Sequence, residues 1–367
     1  MLIPSPRIIE SRLKIRTTSV WQMHTFAFLQ LPSSNRILHH LRIMIKNYIL
    51  FANFFVAVMI LASSGIAKAA FPDRPITIVI PFTSGSATDT LARVLNDGLS
   101  KELGVPVIVD IKPGASQTIA GRYVANAKAD GYTLLLANLP AVLAPSVKKD
   151  LPYRGIRDFS PVARLISQDV MLVVSNKSAA TSLSEFIQLL KENPDKFSYG
   201  SSGIASPIHL FVEMFNDKAG VKAVHIPYKG SQETRLAILS NQIDYSFTGL
   251  NAIDMVQNGK MKAFGIASNQ RNTKFPDIPT LSEQGLSGLD LAVEYVIVAP
   301  KGTPDQVVDI LNKAIYKISG TEEFYSSVLS LGGVRVAPPS TPAQVGKWIS
   351  QEERKWDEVV ERAAIKF

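Results

Sequence analysis

The chain has 367 residues, no cysteine and a formal charge of +8. The lack of thiols excludes disulfides, thiolate nucleophiles and Cys-ligated zinc or iron–sulfur centres. The charge first points to an acidic partner, but of 39 basic and 31 acidic residues, eight and one lie in residues 1–69, leaving 31 against 30. The remainder therefore carries no electrostatic footprint for nucleic acid.

The first apolar run is Ile49-Leu-Phe-Ala-Asn-Phe-Phe-Val-Ala-Val-Met-Ile60, preceded by Lys46 and followed by Ala67-Lys68-Ala69. A short basic region, an apolar core and an A-x-A site make a secretory signal. The core is shorter than the ~20 residues of a membrane-spanning helix, which disfavours an uncleaved N-terminal anchor. We expect a signal over residues 44–69, cleaved near residue 69. Residues 1–43 lack periodicity and read as an upstream extension, with Met44 as the true start. An exported chain without disulfides needs a hydrophobic core, and about 300 residues can supply one.

In the remainder, Ile76-Thr-Ile-Val-Ile80 reads as a strand buried on both faces. The loop Phe82-Thr-Ser-Gly-Ser-Ala-Thr88 follows, then a helix with Leu91, Val94, Leu95 and Leu99 on one face, ending at Gly104. Residues 105–109 read as a strand, 112–117 as a turn, 120–127 as a helix and 132–137 as a strand. Strands and helices in this alternation predict a doubly wound parallel sheet. A second block repeats the pattern: strands at 170–174, 197–200, 224–227, 243–247 and 261–267, with helices beginning near Ser184, Ser206 and Glu233. Residues 291–299 form a strand that can return the chain to the first block. Helices over 304–318, 321–331 and from Thr341-Pro342 through Trp356 complete it. The expected architecture is two α/β lobes, residues 70–170 with 296–367 and residues 171–295, each a mostly parallel sheet flanked by helices.

Chemistry-bearing motifs are sparse. Beyond the signal only His209 and His225 remain, too few for a histidine cluster, and His209 reads as a packed or capping residue. G-x-S-x-G, H-E-x-x-H and the phosphate loop are absent. Ser201-Ser202-Gly203 invites a serine-hydrolase reading, which the missing nucleophile elbow weakens. Asp89, Asp244 and Asp254 have no evident acid–base partner. We expect no catalytic residue, no metal and no cofactor. What recurs is Gly, Ser and Thr where strands feed helices, at residues 83–88, 200–206 and 248–251. Such loops free backbone N–H groups at a helix N-terminus, where an anion is favoured. A single loop of this kind is ordinary turn and cap chemistry. Three at strand C-termini point to a ligand crevice.

Eight motifs in order then resemble the Bug receptors, the periplasmic solute-binding proteins of tripartite tricarboxylate transporters. The first is Phe71-Pro-Asp-Arg-Pro-Ile76 followed closely by Ile80-Pro-Phe-Thr-Ser-Gly-Ser-Ala-Thr-Asp89, counted as one motif. Lys112-Pro-Gly-Ala115, Ala129-Asp-Gly-Tyr-Thr-Leu-Leu135, Asp158-Phe-Ser-Pro-Val162 and Tyr199-Gly-Ser-Ser-Gly203 follow. His225-Ile-Pro-Tyr-Lys-Gly-Ser231, Phe275-Pro-Asp-Ile-Pro-Thr280 and Ala299-Pro-Lys-Gly-Thr-Pro304 complete the set, so the resemblance spans residues 71–367. It implies a two-lobed type II periplasmic-binding-protein-like fold in the periplasm that closes on a small carboxylate held by N–H groups, hydroxyls and waters. It implies a monomer that delivers its ligand to the permease components of such a transporter.

Carried over by position, first-lobe contacts come from Thr83, Ser84, Ser86, Thr88, Asp89 and Asn138. Second-lobe contacts come from Ser201, Ser202, Ser206, Thr248 and Asn251, with Tyr295 near the cleft. Three departures stand out. The first loop, usually Pro-Pro-Gly-Gly, is Thr83-Ser84-Gly85-Ser86. Gly-Gly-Asn after the Lys-Pro-Gly-Ala motif is Ser116-Gln117-Thr118. A frequent Asp, suited to an amino group, is Thr248. A ligand sensor acting on a membrane kinase would share the same cleft.

Overall fold

The computed structural model describes residues 35–62, 71–139 and 153–362, and the chain divides into two units, Met1–Lys68 and Ala69–Phe367. In the first, helix α1 (Asn35–Ala62) contains the apolar run of the expected signal and begins upstream of Met44. The expected cleavage site lies outside the described residues. Among the described residues no helix is long and apolar enough to cross a membrane.

The second unit opens as its residue types dictate. Strand β1 (Ile76–Ile80) is β-branched throughout. Ile76, Ile78 and Ile80 enter one core cluster, Val79 the other, all with no exposure. Helix α2 (Ala87–Leu103) starts at Ser86, whose side chain accepts from the Asp89 N–H, and stops at left-handed Gly104. Strand β2 (Val107–Ile111) starts later than its sequence suggests, because Pro106 has no N–H to add to a ladder. Helix α3 (Thr118–Ala125) and strand β3 (Thr133–Leu139) complete the block.

The chain then enters β4 (Phe159–Ser175), a strand of 17 residues. Only its last third was legible in the sequence. Pro161 and the polar Ser167-Gln168-Asp169 mask the rest, and the strand takes them in by shifting register after Pro161 and after Arg164. The second block runs α4 (Leu183–Glu192), β5 (Ser198–Ser201), α5 (Pro207–Ala219), β6 (Val224–Pro227), α6 (Ser231–Leu239), β7 (Tyr245–Gly249), α7 (Ile253–Gln257) and β8 (Met261–Ile266). Strand β9 (Ala292–Pro300) returns to the first block. There α8 (Asp305–Ser319), α9 (Glu322–Val328), the short β10 (Val334–Val336) and α10 (Pro342–Arg362) finish the fold. Strand β10, three residues long, has no sequence signal of its own.

The ten strands follow the order β2-β1-β3-β9-β4-β7-β5-β6, with β8 and β10 also on β4. The parallel pairing expected from the sequence holds at the two ends, β2-β1-β3 and β7-β5-β6. The middle departs from it: β3–β9, β9–β4, β4–β7, β4–β8 and β4–β10 are all antiparallel. The reason is that β4 and β9 carry the chain between the blocks in opposite directions. Both are paired along their length, so they join the blocks as one curled sheet.

This crossing holds a half-buried charge pair. The Arg164 guanidinium donates to both oxygens of Glu294, each at 3.0 Å, and Ser167 donates to the same carboxylate. Burial pushes the Glu294 carboxyl upward, against the pull of Arg164 and Ser167. Removing one partner of such a pair leaves the other uncompensated. We expect Arg164→Met to cost about 1–3 kcal/mol in denaturant unfolding, whereas a cost below about 1 kcal/mol would mean that Glu294 finds its compensation elsewhere.

Candidate functional site

The parallel strands of the two blocks run in opposite directions, toward each other, so the Gly/Ser/Thr loops at their C-terminal ends face one another. In the first block Thr83 and Ser84 are exposed at the loop after β1. Asp89 lies behind them, buried. Its carboxylate accepts from the Gly85 N–H at 2.9 Å and the Ser84 hydroxyl at 3.2 Å, and pairs with Arg93 at 2.9 Å. Burial raises the Asp89 carboxyl, but these partners outweigh it and hold the group below its ordinary range. Asp89 thus organises its own loop.

The floor is a buried polar row. Thr88 donates to the Asn138 side-chain carbonyl at 3.2 Å. The Gln117 side-chain amide spans the Asn138 backbone, accepting from its N–H at 2.9 Å and donating to its C=O at 3.2 Å. Asn138 pairs directly with Tyr295 across β3 and β9. Tyr295 is buried, burial pushes its phenol up, and its hydroxyl donates to Gln168 at 3.0 Å. Gln117 and Gln168 belong to this floor without having been anticipated. A polar break inside a strand pattern was the only trace of Gln168.

The second-block loop is braced from beneath. Ser201, without exposure, lies 2.7 Å from His225 Nε2 and accepts from the Gly203 N–H at 3.2 Å. Gly203 takes a φ of 116°, which a side chain would resist. The Ala205 N–H donates to His209 Nδ1 at 3.0 Å, which places the neutral ring's proton on Nε2, facing Glu213. Tyr199 donates to that same Glu213. Ser206 caps α5 by accepting from the His209 N–H. The sequence suggested that two histidines could not cluster. In the fold they stack at 3.9 Å between ring centroids, with Tyr199 stacked on His225 at 4.8 Å, because β5, β6 and α5 converge there. Ser202 is half-buried beside Ser201, Thr248 is buried near the end of β7, and Asn251 is exposed in the turn that follows.

Two hydrogen bonds cross between the blocks at the rim. The Ser116 hydroxyl donates to the Ile204 carbonyl at 2.5 Å, and the Gln232 side chain donates to the Gly85 carbonyl at 3.3 Å. Ala115, Ser116 and Gln117 have φ of 46°, 46° and 73°, all left-handed. Glycine would adopt these angles without strain, but only a serine hydroxyl reaches Ile204.

Burial lowers His225 to about 4; burial and then His225 lower His209 to about 3. Both are neutral when folded, while the unfolded chain takes up protons near 6.5. Their contribution is therefore complete above pH 6.5 and is lost as pH falls toward 4 and then 3. The thermal midpoint of wild type is expected to fall across that window more steeply than that of His209→Asn/His225→Gln. Parallel profiles would refute this. Ser116→Ala keeps the backbone strain and removes only the rim bond, about 1 kcal/mol. Since the chain has no cysteine, spin labels on introduced cysteines in α2 and α4 report the separation of the blocks. Ser116→Ala is expected to shift the ligand-free distribution to longer distances, and an unchanged distribution would remove Ser116 from closure.

A family model described as the tripartite tricarboxylate transporter family receptor matches residues 91–365. A UPF0065 protein of Bordetella pertussis is 37% identical over 287 residues, 78% of this chain and 88% of that protein. Protein BugT of the same organism is 31% identical, covering 84% and 96%. MatC from Rhodopseudomonas palustris, solved with bound malate, is 31% identical with a TM-score of 0.73, covering 79% of this chain and 100% of that one. A second R. palustris protein, solved with adipate, is 28% identical with a TM-score of 0.74, covering 80% and 99%. The mixed α/β fold is the two-lobed arrangement of these periplasmic binding proteins. The chain belongs to the tripartite tricarboxylate transporter receptors, the Bug family of solute-binding proteins.

Proposed function

We propose that this protein is a periplasmic receptor for a small organic carboxylate, which it delivers to the membrane components of a tripartite tricarboxylate-type transporter. The observation that carries this reading is the pair of hydroxyl- and N–H-rich loops, one on each block, joined at the rim by Ser116–Ile204 and Gln232–Gly85. Residues 70–170 with 296–367 form one lobe and residues 171–295 the other. Residues 44–69 serve as the export signal, and residues 1–43 are an upstream extension.

The first-lobe donors are Thr83, Ser84 and Ser86 with the N-terminus of α2. The second-lobe donors are Ser202 and the loop to Ser206 with the N-terminus of α5. Helix N-termini favour a carboxylate, and neutral donors hold it without a counter-charge. Asp89, Thr88, Asn138, Tyr295 and Ser201 shape these loops from behind, while Thr248 and Asn251 border the cleft. A ligand touching both lobes binds the closed state better than the open one, so binding shifts the population toward closure. The closed pair of lobes is the surface offered to the transporter.

A hydrolytic role for Ser201 is disfavoured by its burial. It has a histidine partner at 2.7 Å, but no exposure through which to meet a substrate. Calorimetry with malate, adipate, citrate, benzoate and glutamate tests the receptor reading. At least one carboxylate should bind in the micromolar range or tighter, about −8 kcal/mol, without being consumed. Silence across that panel from folded protein, or turnover of any member, would overturn it.

A further inference from the structure

One cation in the second lobe stands apart. Arg235 lies on α6 one turn after Gln232, so the two side chains share a helix face. Gln232 reaches the first lobe at Gly85, which orients that face toward the cleft. Arg235 is half-buried, and one N–H donates to the Asn251 side-chain carbonyl at 3.3 Å. Among the described residues no carboxylate pairs with it. The guanidiniums nearest the floor and crossing are all paired: Arg93 with Asp89, Arg164 with Glu294, and Arg335 with Asp169.

Asn251 approaches the cleft floor. A Cβ on Gly249 would lie 3.1 Å from the Asn251 side-chain oxygen and 2.9 Å from the Gln168 amide nitrogen. Gln168 in turn accepts from Tyr295. Asn251 and Gln168 thus flank Gly249, which places Arg235 near the Tyr295–Gln168 part of the floor. A guanidinium carries five donors in a planar fork that suits a carboxylate, and here one is engaged. Burial lowers its pKa, the mark of a charge losing water without a counter-charge.

We propose that Arg235 is the counter-charge for a second anionic group of the ligand, so that the bound solute is a dicarboxylate. One carboxylate rests on the neutral loop donors and the other on Arg235. This rests on the carboxylate-receptor reading and narrows it. Arg235 also explains how a cleft lined by hydroxyls distinguishes a dianion from a monoanion.

The test is calorimetry of the full processed protein with succinate, adipate and malate, each against its own monoamide. Wild type should bind a dicarboxylate about 10- to 100-fold more tightly than its monoamide, the range of hydrogen bonds to a charged group. Arg235→Gln should erase that preference and leave monoamide binding in place, with Arg235→Lys between the two. Added salt should weaken wild-type binding of the dicarboxylate more than of the monoamide, a readout that needs no variant. Equal binding of acid and monoamide, or dicarboxylate binding unchanged in Arg235→Gln, would overturn the role of Arg235 and leave the receptor reading intact. No binding of any acid or amide by folded wild type would overturn both.

Discussion

The antiparallel ladder between β4 and β9 is the constraint on which the rest of this structure depends. These two strands carry the chain out of the first block and back, and they pair from Phe159 opposite Pro300 to Asp169 opposite Ala292. Their shared register sets where Tyr295 and Gln168 meet the cleft floor and where Glu294 meets Arg164. A ladder is stiff along its strands and compliant in twist. It can therefore hold the floor in place while the lobes rotate about it. The half-buried Arg164–Glu294 pair adds specificity of register, because a slip of either strand by one residue would separate the two charges.

The site is built in two tiers. Behind the loops lie groups whose hydrogen bonds are met within the protein: Asp89 with Gly85, Gln117 with Asn138, His209 with Ala205. In front lie hydroxyls and N–H groups at helix starts. The rear tier fixes the angles of the front tier, which under the proposed function would lower the ordering cost of binding. Neutral imidazoles suit this role because they accept a hydrogen bond without bringing a charge beneath an anion site.

The chemistry of the cleft divides between neutral donors and one guanidinium. Hydroxyls and N–H groups bind a carboxylate with little selectivity for its other end. In the proposed reading, Arg235 is the group whose charge responds to that other end. That reading would couple closure and recognition through α6, which carries both Gln232 and Arg235.

The sequence by itself determined the parallel ends of the sheet, the caps and the loop positions. These depend on neighbours within a few residues: the β-branched run at 76–80, Ser86 and Ser206 before their helices, and Gly104 after one. Family motifs extended that reading to candidate site residues. The antiparallel crossing, the histidine stack, the rim bond from Ser116 and the placement of Arg235 beside Asn251 were decided only by tertiary structure. Each joins groups far apart in the chain, as Ser116 with Ile204 and Arg164 with Glu294. Local propensity carries no information about such pairings, because their energy comes from burial and partners that exist only once the two blocks are packed.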